Sequence, residues 1–375
     1  MSGNSLLTVS EIARMLDARA SSLAPELLPN GRREGPFWCT SNVSDVKTGS
    51  YSLKVNLTGN VGLWTDFGAA RSAPDRGGDM LKLVALNKFG GDIGEALKWA
   101  RSWLGLDNLD PGRLATERAR VSRIQKRQEE EARAKAEKMR RLAQALFIDP
   151  RAVPIPGTPA EAYLSGRGID LRRLGRAPRA LKYHPAVFNK EAGQELPCLI
   201  ARVQDMAGNH VATHRTWIKP DGSGKADLEN AKMCLASFMG GYIPLWKGHS
   251  QEPLHRALAG KPVGMSEGIE DGLTVACFKP ELRVIAAVTL GNMAAIELPD
   301  TSAGLIIIGQ RDKPGSQAER ALGSAIAFQQ ARGHEVRLAL PPEGVKDFND
   351  FARGCLGDSP DAKSLAEQAE LAGAA

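Results

Sequence analysis

Ser266-Glu267-Gly268-Ile269-Glu270-Asp271, Gly309-Gln310-Arg311-Asp312-Lys313-Pro314-Gly315 and Lys346-Asp347-Phe348-Asn349-Asp350 are the three pieces of sequence on which the fold turns. Each sets carboxylates just beyond an apolar run, which is where a parallel sheet presents its functional groups. The runs are Pro262-Val263-Gly264-Met265, Val284-Ile285-Ala286-Ala287-Val288, Leu305-Ile306-Ile307-Ile308 and Val336-Arg337-Leu338-Ala339-Leu340. They are short, rich in β-branched residues and separated by helix-like segments, so they read as buried parallel strands. Residues 268–278 and 316–332 supply crossover helices, the second ended by Gly333. The expected fold class is α/β, a Rossmann-like parallel sheet with acids gathered at its carboxyl edge.

This spacing resembles the Toprim domain shared by bacterial-type primases, topoisomerases and related nucleases. That family carries Glu-Gly after its first strand and Asp-x-Asp, followed by a glycine, after a later one. Glu267 and Gly268 fit the first motif, Asp312 and Gly315 fit the end of the second, and residues 346–350 resemble a further acidic motif of primases. The resemblance implies Glu267, Asp312 and Asp347 as catalytic residues. It also implies magnesium or manganese held by Glu267, Asp312, Asp347 and Asp350, with Glu270 and Asp271 as outer candidates. One position departs from the pattern: Gln310 stands where the first Asp of Asp-x-Asp belongs, with Arg311 beside it. A neutral carbonyl in place of a carboxylate, next to a positive charge, lowers the expected metal affinity toward a single cation. Packed without a cation, the three acids repel one another and at least one proton is held more tightly. Read without the family, Asp312 and Asp347 are equally acceptable as helix caps.

At 375 residues the chain has room for two or three domains with real cores. No early apolar stretch looks like a signal peptide and no run reaches membrane-spanning length, so the expectation is a cytoplasmic protein without a membrane partner. Residues 2–16 read as a small surface helix. Cys39, Cys198, Cys234, Cys277 and Cys355 lie far apart, the pattern of buried thiols in a reducing compartment. The formal net charge of +6 equals the surplus of Lys and Arg over Glu within residues 111–141 alone.

In chain order, residues 1–106 read as a small module. Gly35-Pro36-Phe37-Trp38-Cys39, Ser52-Leu53-Lys54-Val55-Asn56-Leu57 and Gly62-Leu63-Trp64-Thr65-Asp66-Phe67 are short antiparallel strands, followed by helices over 80–87 and 93–104. Together with Gly78-Asp79-Met80-Leu81 and Gly94-Glu95-Ala96-Leu97, this order resembles the zinc ribbon at the front of bacterial-type primases. A structural zinc needs four closely spaced Cys or His ligands, and the region offers Cys39 and no His. No zinc is therefore expected; Trp38, Trp64 and Phe67 are expected to fill the space instead, or else to stack on single-stranded DNA. Residues 107–150 form a charged, Ala-rich stretch, read as a solvated helical linker.

Residues 151–255 read as a basic α+β subdomain with a helix over 158–166 and a hairpin of 198–203 with 211–218. This resembles the subdomain preceding Toprim in primases. Arg202, Arg215, Lys225, Lys232, Arg172 and Arg173 are its expected nucleic-acid contacts, and the Gly-rich segments 221–225 and 239–243 are expected nearby. Gly222-Ser223-Gly224-Lys225-Ala226 is a turn and not a nucleotide-binding loop, because Lys219 and Ala226 occupy positions that such a loop reserves for Gly and Ser or Thr. Residues 256–375 complete the chain as the Toprim domain. The leading expectation is a DNA primase-like protein, of a phage, plasmid or integrated element, making RNA primers from ribonucleotides on single-stranded DNA, with a replicative helicase as a further partner. A non-catalytic DNA-binding adaptor, suggested by Gln310 and the missing zinc ligands, and a Toprim nuclease are the alternatives.

Overall fold

The computed structural model describes residues 7–47, 50–69, 75–106, 111–256, 261–299 and 304–358. It divides into two compact units, Met1–Lys135 and Ala136–Ala375.

The first unit opens with helices α1 (Val9–Asp17) and α2 (Ala20–Leu27). Thr8 and Glu11 form a reciprocal capping box that starts α1. Ile12, Met15 and Leu16 recur at helical spacing and are buried, so this segment is a core helix where a surface helix was expected. The strands β1 (Arg32–Glu34), β2 (Phe37–Thr40), β3 (Leu53–Asn56), β4 (Trp64–Asp66) and β5 (Gly77–Gly78) pair antiparallel in sequence order. Helices α3 (Met80–Lys88) and α4 (Ile93–Trp103) follow, capped by Asp79 and Asp92. Leu53, Val55 and Trp64 pack with Ile12, Leu16, Leu23 and Met80. Trp64 fills this core as expected and Trp38 is half-buried on Leu28 O, but Phe67 is 62% exposed and fills nothing.

Asp17 lies between α1 and α3, its Oδ1 accepting the Met80 N–H at 2.9 Å. Burial lifts its pKa to about 7, against the Met80 hydrogen bond and with help from neighbouring Asp79. The folded state therefore binds this proton more tightly than the unfolded chain. The contribution is fully present below the ordinary Asp pKa and is lost as pH rises through about 7. Asp17→Asn keeps an oxygen for Met80 and removes the charge. It is expected to raise the unfolding midpoint of the full chain at pH 8 and to flatten the pH dependence between pH 5 and pH 8, measured by calorimetry. An unchanged pH profile would refute this.

Helix α5 (Pro111–Ile148) spans the boundary between the units. It is not a free spacer over its whole length. Ala143 and Phe147 are buried at its end, where Thr213 Oγ1 and Lys182 Nζ donate to their carbonyls.

The second unit continues with α6 (Pro159–Gly166) and an antiparallel sheet of β6 (Leu181–Asn189), β7 (Gln194–Gln204), β8 (His210–Trp217) and β9 (Lys232–Leu235). Alternation along the strands gives this sheet two apolar faces. Leu199, Ala201 and Ala212 share one buried cluster with Tyr163, Ile269 and Leu273, while Cys198, Ile200 and Trp217 share another with Phe147. Residues 218–226 form a turn closed by the Ile218–Lys225 bridge. Gly222 there has φ 72°, and a Cβ would fall 2.2 Å from Pro159 O, so only glycine fits.

The last sheet holds β10 (Ile243–Lys247), β11 (Val263–Ser266), β12 (Arg283–Ala286), β13 (Leu305–Ile308) and β14 (Val336–Ala339), in the order β10-β12-β11-β13-β14. β11 to β14 are parallel, and β10 lies antiparallel on β12. The remaining helices are α7 (Ile269–Phe278), α8 (Leu290–Met293), α9 (Gln317–Ala331) and α10 (Phe348–Asp358). The fold is α/β with a parallel sheet, as read from the sequence. β10 is an addition: residues 243–247 were assigned to the preceding subdomain, yet they extend this sheet. α7 packs so closely that a Cβ on Gly272 would lie 2.4 Å from both Leu245 Cδ1 and Ser266 Oγ. Gly272→Ala is expected to cost about 1–3 kcal/mol through this overpacking, read as a lower midpoint in thermal denaturation; an unchanged midpoint would refute the contact. Cys39, Cys198 and Cys277 are buried free thiols and Cys234 is half-buried; the Cys355 side chain lies outside the described residues.

Candidate active site

The parallel sheet places Glu267 and Gly268 directly after β11, Gln310 after β13 and Asp347 at the start of α10. All border one cleft of about 280 Å³. Glu267, Asp271, Gln310 and Asp347 line it from the parallel sheet's carboxyl edge. Arg167, His214, Lys225 and Lys232 line it from α6 and the antiparallel sheet.

Glu267 accepts the backbone N–H of Leu290, just beyond Val288. Val288 also lines the cleft and has φ 74°, a conformation that strains a β-branched residue. Burial raises the Glu267 pKa, and the charges of Asp312 and Asp271 add to it. Asp271, in the first turn of α7, is pushed up to about 6, by burial first and by Asp347 second. Its Oδ2 accepts the Gln310 amide at 2.8 Å and its Oδ1 accepts the Asn349 N–H at 3.2 Å. The expected mutual repulsion is thus present, with Asp271 at its centre and not at its edge.

Glu270 behaves in the opposite way. Although burial would raise its pKa, Lys232 and Tyr163 outweigh that and hold it down to about 2. Tyr163 Oη donates to Oε1 at 2.7 Å and Lys232 Nζ to Oε2 at 2.9 Å. Three acids within five residues are therefore divided: two face other acids, and one faces cations.

The other sequence candidates are scattered. Asp347 lines the cleft and also caps α10, accepting the Asp350 N–H at 2.7 Å. Asp350 turns toward Arg353, 3.8 Å away, and does not border the cleft. Asp312 is half-exposed outside the cleft lining, though close enough to bias Glu267. Gln310 lines the cleft and turns its amide N–H toward Asp271. Arg311 does not add charge to the site. Its Nε donates to the carbonyls of Pro341 and Pro342.

Of the expected nucleic-acid contacts, Lys225 and Lys232 reach the cleft. Arg202 and Arg215 project from the far face of the antiparallel sheet, because they share it with Trp217 through the Arg215–Ile200 and Arg202–Thr213 pairs. Arg202 bonds Gln204 and Arg215 lies 4.9 Å over the Trp217 ring. Arg172 is paired with Asp170 and Arg173 sits 4.6 Å over Phe278. His214, Tyr163 and Asn349 were not singled out from the sequence as site residues. His214 is buried and pushed down to about 4 by burial and then by Lys232, so it is a neutral imidazole; its Nδ1 has no hydrogen-bond partner. A lone His inside a strand carries no signal of this in sequence.

Among the described residues no three His, Cys, Asp or Glu side chains stand close enough to cage a metal ion. The donor set nevertheless suits magnesium or manganese. Magnesium is usually held by one or two carboxylates, with waters and substrate phosphates completing its shell. Asp271, flanked in charge by Glu267 and Asp347, and those two acids provide such oxygens beside open space.

Residues 263–358 match the Toprim domain family. This segment is a Toprim domain. Residues 137–245, which hold the antiparallel sheet, match a family described only as a domain of unknown function, DUF7146. No curated protein matches the sequence. Among solved structures, the chain is similar to the primase fragment of the bacteriophage T7 primase-helicase protein at 18% identity, covering 59% of this chain and 79% of that one with a TM-score of 0.38. It is similar to the DnaG primase catalytic domain bound to ssDNA at 12% identity, covering 64% and 80%, with a TM-score of 0.43. For a DNA primase domain from Pseudomonas aeruginosa the values are 16%, 61% and 76%, and 0.37. No helix among the described residues is long and apolar enough to cross a membrane.

Proposed function

We propose that this Toprim protein is a primase-like nucleotidyltransferase that joins ribonucleotides on a single-stranded DNA template. The observation that carries this reading is the division of the cleft into an acidic side of Glu267, Asp271 and Asp347 and a basic side of Arg167, Lys225 and Lys232. Phosphoryl transfer needs both: cations to hold phosphate oxygens, and carboxylates to anchor a divalent ion and manage a proton. Magnesium or manganese, held by one or two of the carboxylates of Glu267, Asp271 and Asp347 together with waters and substrate phosphates, would offset charge on the transferring phosphoryl group. Lys225 and Lys232 bind and orient the phosphates. Glu267, whose burial favours the protonated form, accepts the proton of the attacking hydroxyl. A cytoplasmic setting, a helicase partner and a mobile-element origin belong to the same proposal.

The test is primer synthesis by the full chain with four ribonucleotides, magnesium and a single-stranded template. Labelled oligoribonucleotides that vanish on chelation support the proposal. Nicking of plasmid DNA without oligomer formation would replace it with a nuclease. A second reading, a non-catalytic DNA-binding adaptor, is favoured by the hydrogen bonds from Gln310 and Asn349, which engage both oxygens of Asp271. It predicts template binding with a steep salt dependence and no product.

A further inference from the structure

Lys232 presents a problem that the cleft must solve. Its ammonium is close enough to Glu267 to stabilise that carboxylate's charge, and Lys225 lies beside it. A flexible lysine next to an acidic edge can fold onto the nearest carboxylate and take the place of a divalent ion. In the fold, however, Lys232 Nζ sits 2.9 Å from Glu270 Oε2. Glu270 is itself fixed from the other side by the Tyr163 hydroxyl at 2.7 Å, and only 8% of its side chain is exposed. Neither contact comes from the acids that face the cation position.

We propose that Glu270 is a positioning residue that holds the Lys232 ammonium off Glu267, keeping the acidic edge open for a divalent cation. Glu270 follows Glu267 by three residues on the first turn of α7, yet its carboxylate is turned to β9 and α6 while Asp271 is turned to Gln310 and Asn349. Adjacent residues on one helical turn thereby point to the two sides of the cleft. Without the Glu270 charge, Lys232 and Lys225 repel each other across a half-buried space, and Glu267, whose carboxylate already feels the Lys232 charge, is there to receive it. The role rests on the nucleotidyltransferase reading only where it speaks of the cation; where Lys232 docks is independent of it.

The experiment therefore has a metal-free arm. Acylation of Lys232 in the full chain, followed by quantitative mass spectrometry, is expected to be slow in the wild type. It stays slow in Glu270→Gln, because Glu267 captures the lysine, and becomes at least about tenfold faster in the Glu267→Gln/Glu270→Gln double variant. Fast acylation in Glu270→Gln alone, or slow acylation in the double variant, would overturn the proposal. In the second arm, calorimetry with Mn²⁺ is expected to show about tenfold weaker binding for Glu270→Gln and recovery to within threefold of wild type in Glu270→Gln/Lys232→Gln. A purely structural role for Glu270 would leave the double variant as weak as the single one, which would also overturn it. The double variant removes both partners of a buried pair, so it remains informative should the single variant fold poorly. A wild-type chain that binds no Mn²⁺ contradicts the functional reading instead, and the acylation result then decides where Lys232 is held.

Discussion

Glu267→Gln is expected to lower metal-dependent primer synthesis by about a hundredfold or more, the usual worth of a positioned proton acceptor. The substitution keeps the shape of the side chain and an oxygen for the Leu290 N–H. What it removes is a charge that burial and Asp312 already disfavour, so the unfolding midpoint should hold or rise while activity falls. This opposition of effects separates a functional carboxylate from a structural one. If product survived the substitution, Glu267 would not be the proton acceptor; if activity and midpoint fell together, its role would be structural.

Gln310→Asp is expected to act in the opposite sense on stability. The wild-type amide donates to Asp271 Oδ2 at 2.8 Å. Aspartate cannot donate at neutral pH, and it adds a charge beside Asp271, whose own charge Asp347 already opposes. In chelator the loss of this partner should cost on the order of 1–3 kcal/mol. In a unit of this size that lowers the midpoint by roughly 5 °C. Added Mn²⁺ should then recover most of the loss, because the new carboxylate becomes a ligand. A midpoint in chelator equal to wild type would show that the Gln310–Asp271 bond contributes nothing. In the same variant, a gain in primer synthesis would mark the wild-type chain as a weakened catalyst, and no gain would favour the adaptor reading.

The parallel sheet was legible because β11, β12 and most of β13 are buried and so write themselves as short apolar runs, those of β11 and β13 soon followed by an acid. β10 was not: Ile243-Pro244-Leu245-Trp246-Lys247 reads like any edge strand, and only its register with Arg283–Ala286 assigns it. The separation of Arg202 and Arg215 from the cleft has a single cause. On a strand of period two, His214 and Arg215 cannot face the same way, and the sequence does not say which face meets the cleft. Residues 2–16 read as a surface helix because Ser, Glu and Arg interrupt their apolar residues, yet in α1 Ser10 and Arg14 point outward and leave Ile12, Met15 and Leu16 to the core. Glu267 and Asp347 could be picked by spacing. That Asp271 lines the cleft and Asp312 does not could not, since it depends on which acids the helix turn and the loop after β13 bring there.

The most direct test of the central claim is a crystal structure of the full chain grown with manganese and measured for anomalous scattering. A manganese peak is expected in the cleft, on carboxylate oxygens of one or two of Glu267, Asp271 and Asp347. A cleft without a peak at manganese concentrations that support nucleotidyl transfer, or a peak held by other residues, would contradict it.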